Sequence, residues 1–208
     1  MKLKIVGDGA FGSFLKELLV PHFEISNDAT SVVLAVPFEA YKSVAEEHAG
    51  MHLINVCSVQ KPTTDICLQH SDKVTSIHPL FGRRTPSNKR YSIFTYSYVL
   101  KREDNDTWWT PSNVDEAQFI NGFMQVSTIM SNNELGLPFT PDIHDQLMVK
   151  THFAAVMAAK QLKVYTDRVK NVPDELIPNS FRLMRDFVKT LDDMPKGTID
   201  SIMANPYL

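Results

Sequence analysis

The chain has 208 residues, of which 43% are hydrophobic and 22% charged, with a formal net charge of −3. This composition fits a folded protein of one large or two small domains and excludes disordered, collagen-like and disulfide-scaffold chains. There is no basic excess to draw nucleic acid or an anionic membrane, and the longest apolar runs, residues 32–38 and 153–159, are too short to span a bilayer, so neither partner is expected.

The first hundred residues alternate strand and helix signals. Residues 2–6 read as a buried strand. Residues 12–20 read as a helix, with Phe14, Leu15, Leu18 and Leu19 on one face and Pro21 as its stop. Residues 23–26 form a short strand. Residues 31–36 are a near-continuous β-branched run, as in a central parallel strand covered on both faces. A helix is expected over 39–48, strands over 52–56, 73–77 and 90–100, a helix over 114–122 and a strand over 125–130. Between them, residues 102–113 read as a polar loop whose Trp108-Trp109 pair is either a packing plug or an interface anchor. From residue 142 onward the apolar spacing is helical, over 142–169, 180–191 and 198–203. The fold class is therefore α/β. A Rossmann-like, mostly parallel sheet domain over 1–137 is followed by a small all-helical domain over 138–208, too short to bury much core alone and expected to pair with a second copy. The chain reaches Gly7 before any signal-peptide core could form. Cys57 and Cys67 make no CxxC motif and read as small buried residues, so a cytoplasmic setting is expected.

The first strand runs into Gly7-Asp8-Gly9-Ala10-Phe11-Gly12, a GxGxxG sequence between a strand and a helix. In that context Gly7 permits a tight turn, Gly9 lets a pyrophosphate approach the backbone, and Gly12 lets the helix pack closely on the strand. The helix N-terminus offers free N–H groups to phosphate. The acidic partner of an adenosine ribose is expected about 20 residues on, where Asp28 stands; it either fills that role or caps a turn. As a ribose partner it would repel a 2′-phosphate and favour NAD over NADP. No helix is evident between the second and third strands.

Two further segments end predicted parallel strands: Cys57-Ser58-Val59-Gln60-Lys61 and His78-Pro79-Leu80-Phe81-Gly82. A strand-end Ser and His could meet over a nicotinamide, and a near-neutral His can take the proton of a hydroxyl that is being oxidised. Taken in order, the glycine loop, the strand ending in Val36-Pro37, Ser58-Val59-Gln60-Lys61, His78-Pro79-Leu80-Phe81-Gly82, His144-Asp145 and the closing helices resemble the prephenate/arogenate dehydrogenase family of tyrosine biosynthesis.

The resemblance implies an NAD(P)-dependent oxidoreductase. Hydride passes from the ring carbinol carbon to the nicotinamide, carbon dioxide leaves, and the ring becomes aromatic. It makes His78 the hydroxyl hydrogen-bond acceptor or base and Ser58 the group that orients hydroxyl and nicotinamide. It places Gly7 to Gly12, Val36 and Pro37 at the cofactor. The substrate is a dicarboxylate, for which the family's late-helix arginine is here replaced by Lys189, a poorer partner for a carboxylate fork. Arg182 and Arg185 lie nearby, and Arg83-Arg84 follow the His-Pro element; each binds an anion or is a surface charge. His152 stands where the family has a substrate-facing polar residue. His144 and His152, eight apart on one helix, share a face, but no third ligand is evident and no metal is expected. Asp145 reads as support for its helix N-terminus. Two other readings stay open: another small-acid or imine oxidoreductase of the same build, and a dinucleotide-binding regulatory protein without turnover.

Overall fold

Short β-branched runs build the sheet in the computed structural model, which describes residues 1–96, 114–132, 136 and 138–208. Strands β1 (Lys2–Val6), β2 (Glu24–Ile25), β3 (Ser31–Leu34), β4 (His52–Asn55) and β5 (Val74–Pro79) are parallel. Strand β6 (Tyr91–Thr95) is antiparallel to β5, and β7 (Thr128–Met130) is parallel to β6. The order across the sheet is β2-β1-β3-β4-β5-β6-β7. The architecture is thus the mostly parallel, Rossmann-like α/β sheet followed by helices that the sequence predicts. The chain leaves β1 for β2 on one side and then β3 on the other. The crevice where open α/β sheets take ligands therefore lies at the carboxyl ends of β1 and β3.

Alternation along the strands divides the core between two faces. Val33, Ile54 and Ile77 pack against Phe14, Leu15 and Leu19 of α1 (Ala10–Leu19) and Phe119 and Phe123 of α4 (Val114–Phe123). Val32, Leu34, Leu53 and Val74 pack against Tyr41 and Ala45 of α2 (Tyr41–Glu47) and Cys67 of α3 (Lys61–His70). Each such side chain contributes about 1.5–3 kcal/mol of hydrophobic burial. No helix stands between β2 and β3, in keeping with the sequence reading. Helix α3, in contrast, was not among the expected elements. Its buried residues are Thr63, Thr64 and Cys67, so it has little apolar periodicity to read.

The helical part starts where Thr140 Oγ1 accepts the Ile143 N–H at 3.2 Å, capping α5 (Pro141–Met148). The single helix expected over 142–169 is interrupted by a π-helical turn, Val149–Phe153, before α6 (Ala154–Asp167). Helix α7 (Asn179–Asp192) packs along α6, and α8 (Lys196–Met203) returns to the π turn and to the 3-10 turn Phe38–Ala40 after β3. Phe139, bonded to Tyr96 and Ser131 backbone at 2.8 and 3.0 Å, joins Ile93 and Met148 in a small cluster that seats α5 on β6. Residues 97–100 of the expected strand, the polar loop and Trp108-Trp109 lie outside the described residues. Among the described residues, no helix is long and apolar enough to cross a membrane.

Candidate active site

The glycine loop turns at the carboxyl end of β1. Gly7 has φ +115°, and a Cβ there would stand 2.2 Å from the Ala35 carbonyl oxygen. A Cβ on Gly12 would stand 2.1 Å from the Gly7 carbonyl oxygen. Packing of the protein itself thus dictates both glycines. Gly9 differs: it is exposed, and among the described residues no atom beyond its chain neighbours lies within 4 Å of its Cβ position. It is also the N-cap of α1 and supplies no side-chain cap, and the first turn holds no acidic residue. Open space beside uncapped helical N–H groups fits a pyrophosphate, as the chemistry of a dinucleotide requires. Asp8 and Ala10 are exposed at the tip, where the Asp8 carbonyl accepts the Ser13 hydroxyl at 3.0 Å, while Phe11 is half-buried edge-on to Phe14. Val36 and Pro37 follow β3 beside the crevice, and Pro37 meets α8 at Gly197.

His78 stands near the carboxyl end of β5, almost wholly buried. Its Nδ1 is 2.9 Å from His144 Nε2, and His144 Nδ1 is 2.8 Å from Asp145 Oδ1. His144 and Asp145 are fully buried. Asp145 Oδ1 and Oδ2 also accept the Gln60 and Lys61 backbone N–H groups, each at 2.8 Å. The carboxylate therefore caps α3, not its own helix α5, which Thr140 caps; this corrects the sequence reading of Asp145. The carbonyl of Asp145 is bonded in turn by Asn205 Nδ2 at 2.9 Å. The His152 ring stands 5.3 Å from the His78 ring, nearly perpendicular to it, and its buried Nδ1 has no partner among the described residues. Burial, and then the His144 and His152 rings, hold His78 well below the ordinary histidine range; burial, then His144, lowers His152. His78 is therefore a neutral imidazole at neutral pH. Among the described residues, no group of three His, Cys, Asp or Glu side chains is arranged to hold a metal ion.

Ser58 lies just past β4, on the strand next to β5. Its hydroxyl is half-buried and has no hydrogen-bond partner among the described residues. The loop that carries it is fixed from below by buried side chains. Asn55 Oδ1 accepts the Cys57 N–H at 3.0 Å and the Tyr41 hydroxyl at 2.9 Å. Gln60 Nε2 donates to the Cys57 carbonyl at 2.6 Å, and Gln60 Oε1 accepts from Thr95 at 3.1 Å. Sequence reasoning missed this network and the His144–Asp145 pair. A polar residue inside an otherwise apolar strand, Asn55, was the signal for the first.

Other expected site residues stand elsewhere. Asp28 is at the amino end of the sheet, bonded to Lys2 at 3.0 Å and to Ser26, on the far side of β1 from the glycine loop. It is a turn and ion-pair residue and no ribose partner, because β2 is too short to carry it to the crevice. Arg83 makes a fork with Glu17 of α1, both bonds 2.8 Å, and lies over the Phe14 ring. Arg182 donates to the Ile177 and Asp174 carbonyls at 3.0 and 2.6 Å, holding the turn before α7. Both are engaged by the protein and neither is placed as a substrate cation. Arg84 pairs with Asp193 and Arg185 with Asp174. Lys189 is exposed near the end of α7, with no ion pair among the described residues.

No protein-family model matches this sequence, and no curated protein matches it. Solved structures do. A protein from Corynebacterium glutamicum assigned as a prephenate dehydrogenase superposes with a TM-score of 0.67 at 18% identity, over 97% of this chain and 73% of its own. Synechocystis arogenate dehydrogenase gives 0.61 at 15% identity, over 100% and 84%. A reductive aminase from Aspergillus terreus, solved with NADPH and ethyl levulinate, gives 0.51 at 10% identity, over 92% and 73%. At such identities the likeness is one of fold.

Proposed function

We propose that this chain is a nicotinamide-dinucleotide-dependent oxidoreductase that converts prephenate or arogenate to 4-hydroxyphenylpyruvate or tyrosine by oxidative decarboxylation. The observation that carries this reading is His78, a buried neutral imidazole near the carboxyl end of β5, at the same end of the parallel strands as the glycine loop. The resemblance of its His-Pro-Leu-Phe-Gly segment, and the fold shared with prephenate and arogenate dehydrogenases, add to it. The dinucleotide, when bound, supplies the hydride acceptor, C4 of its nicotinamide. Gly9 and the first turn of α1 hold its pyrophosphate through backbone N–H groups. His78 accepts the ring hydroxyl proton as hydride leaves the same carbon, and Ser58 orients that hydroxyl. Lys189 is the cation offered to a substrate carboxylate. The cofactor is NAD or NADP; with Asp28 removed from the site, its charge no longer favours NAD.

The helical part closes against a second copy in this reading. Leu176, Leu183, Phe187, Val164 and Tyr165 leave apolar side chains exposed around α6 and α7, and α7 buries only Val188.

The test is reduced-nicotinamide absorbance with prephenate and with arogenate, using each dinucleotide. His78→Asn is expected to lower turnover about 10²–10⁴-fold while dinucleotide affinity changes little. Near-normal turnover in that variant would sink the assignment. One observation favours a second reading, a small-imine or hydroxy-acid oxidoreductase: Arg83 and Arg182 are engaged within the protein, leaving few cations for a dianion. Turnover of such substrates, with none on prephenate or arogenate, would select it. Dinucleotide binding without any turnover would select a regulatory role.

A further inference from the structure

The bonds behind His78 determine which of its ring nitrogens can act as a base. Asp145 heads this chain of contacts as an acceptor. Its two oxygens already take the Gln60 and Lys61 N–H groups. The third contact, from Oδ1 to His144 Nδ1 at 2.8 Å, therefore requires the proton on His144 Nδ1. With Nδ1 committed to Asp145, Nε2 is the His144 nitrogen left to meet His78. With the lone pair on that nitrogen, the 2.9 Å contact takes its proton from His78 Nδ1. The remaining nitrogen, His78 Nε2, is left as the lone-pair site. It has no hydrogen-bond partner among the described residues, yet it is not among the buried nitrogens cut off from solvent.

We propose that His144 and Asp145 are positioning residues that fix His78 in the Nδ1–H tautomer, so that Nε2 faces the crevice as the proton acceptor. The inference rests on reading the site as one that takes a proton from a hydroxyl. Free histidine in water prefers the opposite tautomer, so a site without this relay would present a donor where the reaction needs an acceptor. The relay is preorganised by the fold. Asp145 cannot swing away without uncapping α3, and its own backbone is tied down by Asn205. Because α3 begins at the end of the loop that carries Ser58, the same carboxylate fixes both reactive positions relative to each other.

The first measurement needs no variant. In ¹⁵N-histidine-labelled protein at neutral pH, assigned through the His78→Asn spectrum, the His78 signals should show a protonated Nδ1 and an unprotonated Nε2. A protonated Nε2 would overturn the inference, whatever the enzyme turns over. The second uses two variants, each checked for native circular dichroism and for dinucleotide affinity. His144→Leu removes the acceptor for His78 Nδ1 and should lower kcat about 10²-fold or more, with KM changed less than about threefold. His144→Gln keeps a carbonyl oxygen able to accept from His78 and should recover most of that loss and retain the parent tautomer. Equal activity of the Leu variant and the parent would overturn the inference. If the tautomer is as stated but neither prephenate nor arogenate turns over, the inference stands and the substrate reading falls.

Discussion

The two glycines of the α1 entry make opposite demands on an added methyl group. At Gly12 a Cβ would sit 2.1 Å from the Gly7 carbonyl oxygen and 2.9 Å from its carbon, both backbone atoms. Ordinary contact would require α1 to lift from β1 by about 1.3 Å, in an interior packed at crystal density. Phe14, Leu15 and Leu19 would lift with it. Overpacking of this kind costs about 1–3 kcal/mol, and alanine recovers about 1 kcal/mol of helix propensity. Against a rigid backbone carbonyl the upper part of that range applies, about 2–3 kcal/mol, so a net loss of about 1–2 kcal/mol is expected for Gly12→Ala. At Gly9 the backbone is at φ −64°, ψ 177°, which alanine adopts freely, and among the described residues its Cβ would meet nothing beyond its chain neighbours within 4 Å. Gly9→Ala should therefore change stability by no more than about 0.5 kcal/mol, the cost of a poorer N-cap. Its methyl group fills the space through which a pyrophosphate reaches the helical N–H groups, so dinucleotide affinity should fall at least about tenfold, or 1.4 kcal/mol. Urea unfolding followed by circular dichroism gives the stabilities; quenching of protein fluorescence by NAD or NADP gives the affinities. A Gly9→Ala protein that binds both dinucleotides as the parent does would refute the assignment of this loop, and a fully stable Gly12→Ala protein would refute the packing argument.

Burial holds His52 at about 4 in the folded chain, between Ser31 and Thr75. The unfolded chain takes up that proton near pH 6.5, so the His52 contribution is intact above pH 6.5 and lost as pH falls toward 4. That loss is about 3 kcal/mol, and His48, His78 and His152 act in the same direction. Urea unfolding at pH 7, 5.5 and 4 checks this; His52→Asn should flatten the dependence, and an unchanged slope would contradict it. Burial pushes the Cys57 and Cys67 thiols up to about 11 and about 12, so neutral thiol reagents should label them only as fast as the protein opens. Labelling of the native protein within minutes would contradict this. Leu183→Glu with Phe187→Glu should turn a dimer into a monomer in sedimentation velocity at micromolar concentration; a monomeric parent would remove the proposed interface.

How far the sequence carried the fold depended on where each signal came from. Residues 31–34 were readable because a strand covered on both faces needs a near-continuous apolar run, and Val32-Val33-Leu34 supply one, buried throughout. Helix α3 was not, because Thr63 and Thr64 face inward and are satisfied by Asn55 and Ser76, partners that exist only once the sheet has formed. The same division runs through the site. Gly7, Gly9 and Gly12 act through local backbone geometry, and their spacing announced them. Asp28 and Arg83 were placed in the site on type and position alone. Their ion pairs, 26 and 66 residues distant, are tertiary and no local pattern encodes them. His144 and His152 were seen to share a face, but the third ring on that face, His78, comes from β5.

Asp145 is the sharpest case. Adjacent residues on a helix do not point the same way, so a His-Asp pair there carries no visible instruction to meet. The two meet because the N-terminus of α3 approaches from below and its free N–H groups pull the carboxylate inward, beside His144. The polar groups that tune a histidine are thus set by helix ends belonging to other parts of the chain. A site of this kind is read from sequence by its reacting residue and from structure by what holds that residue's proton.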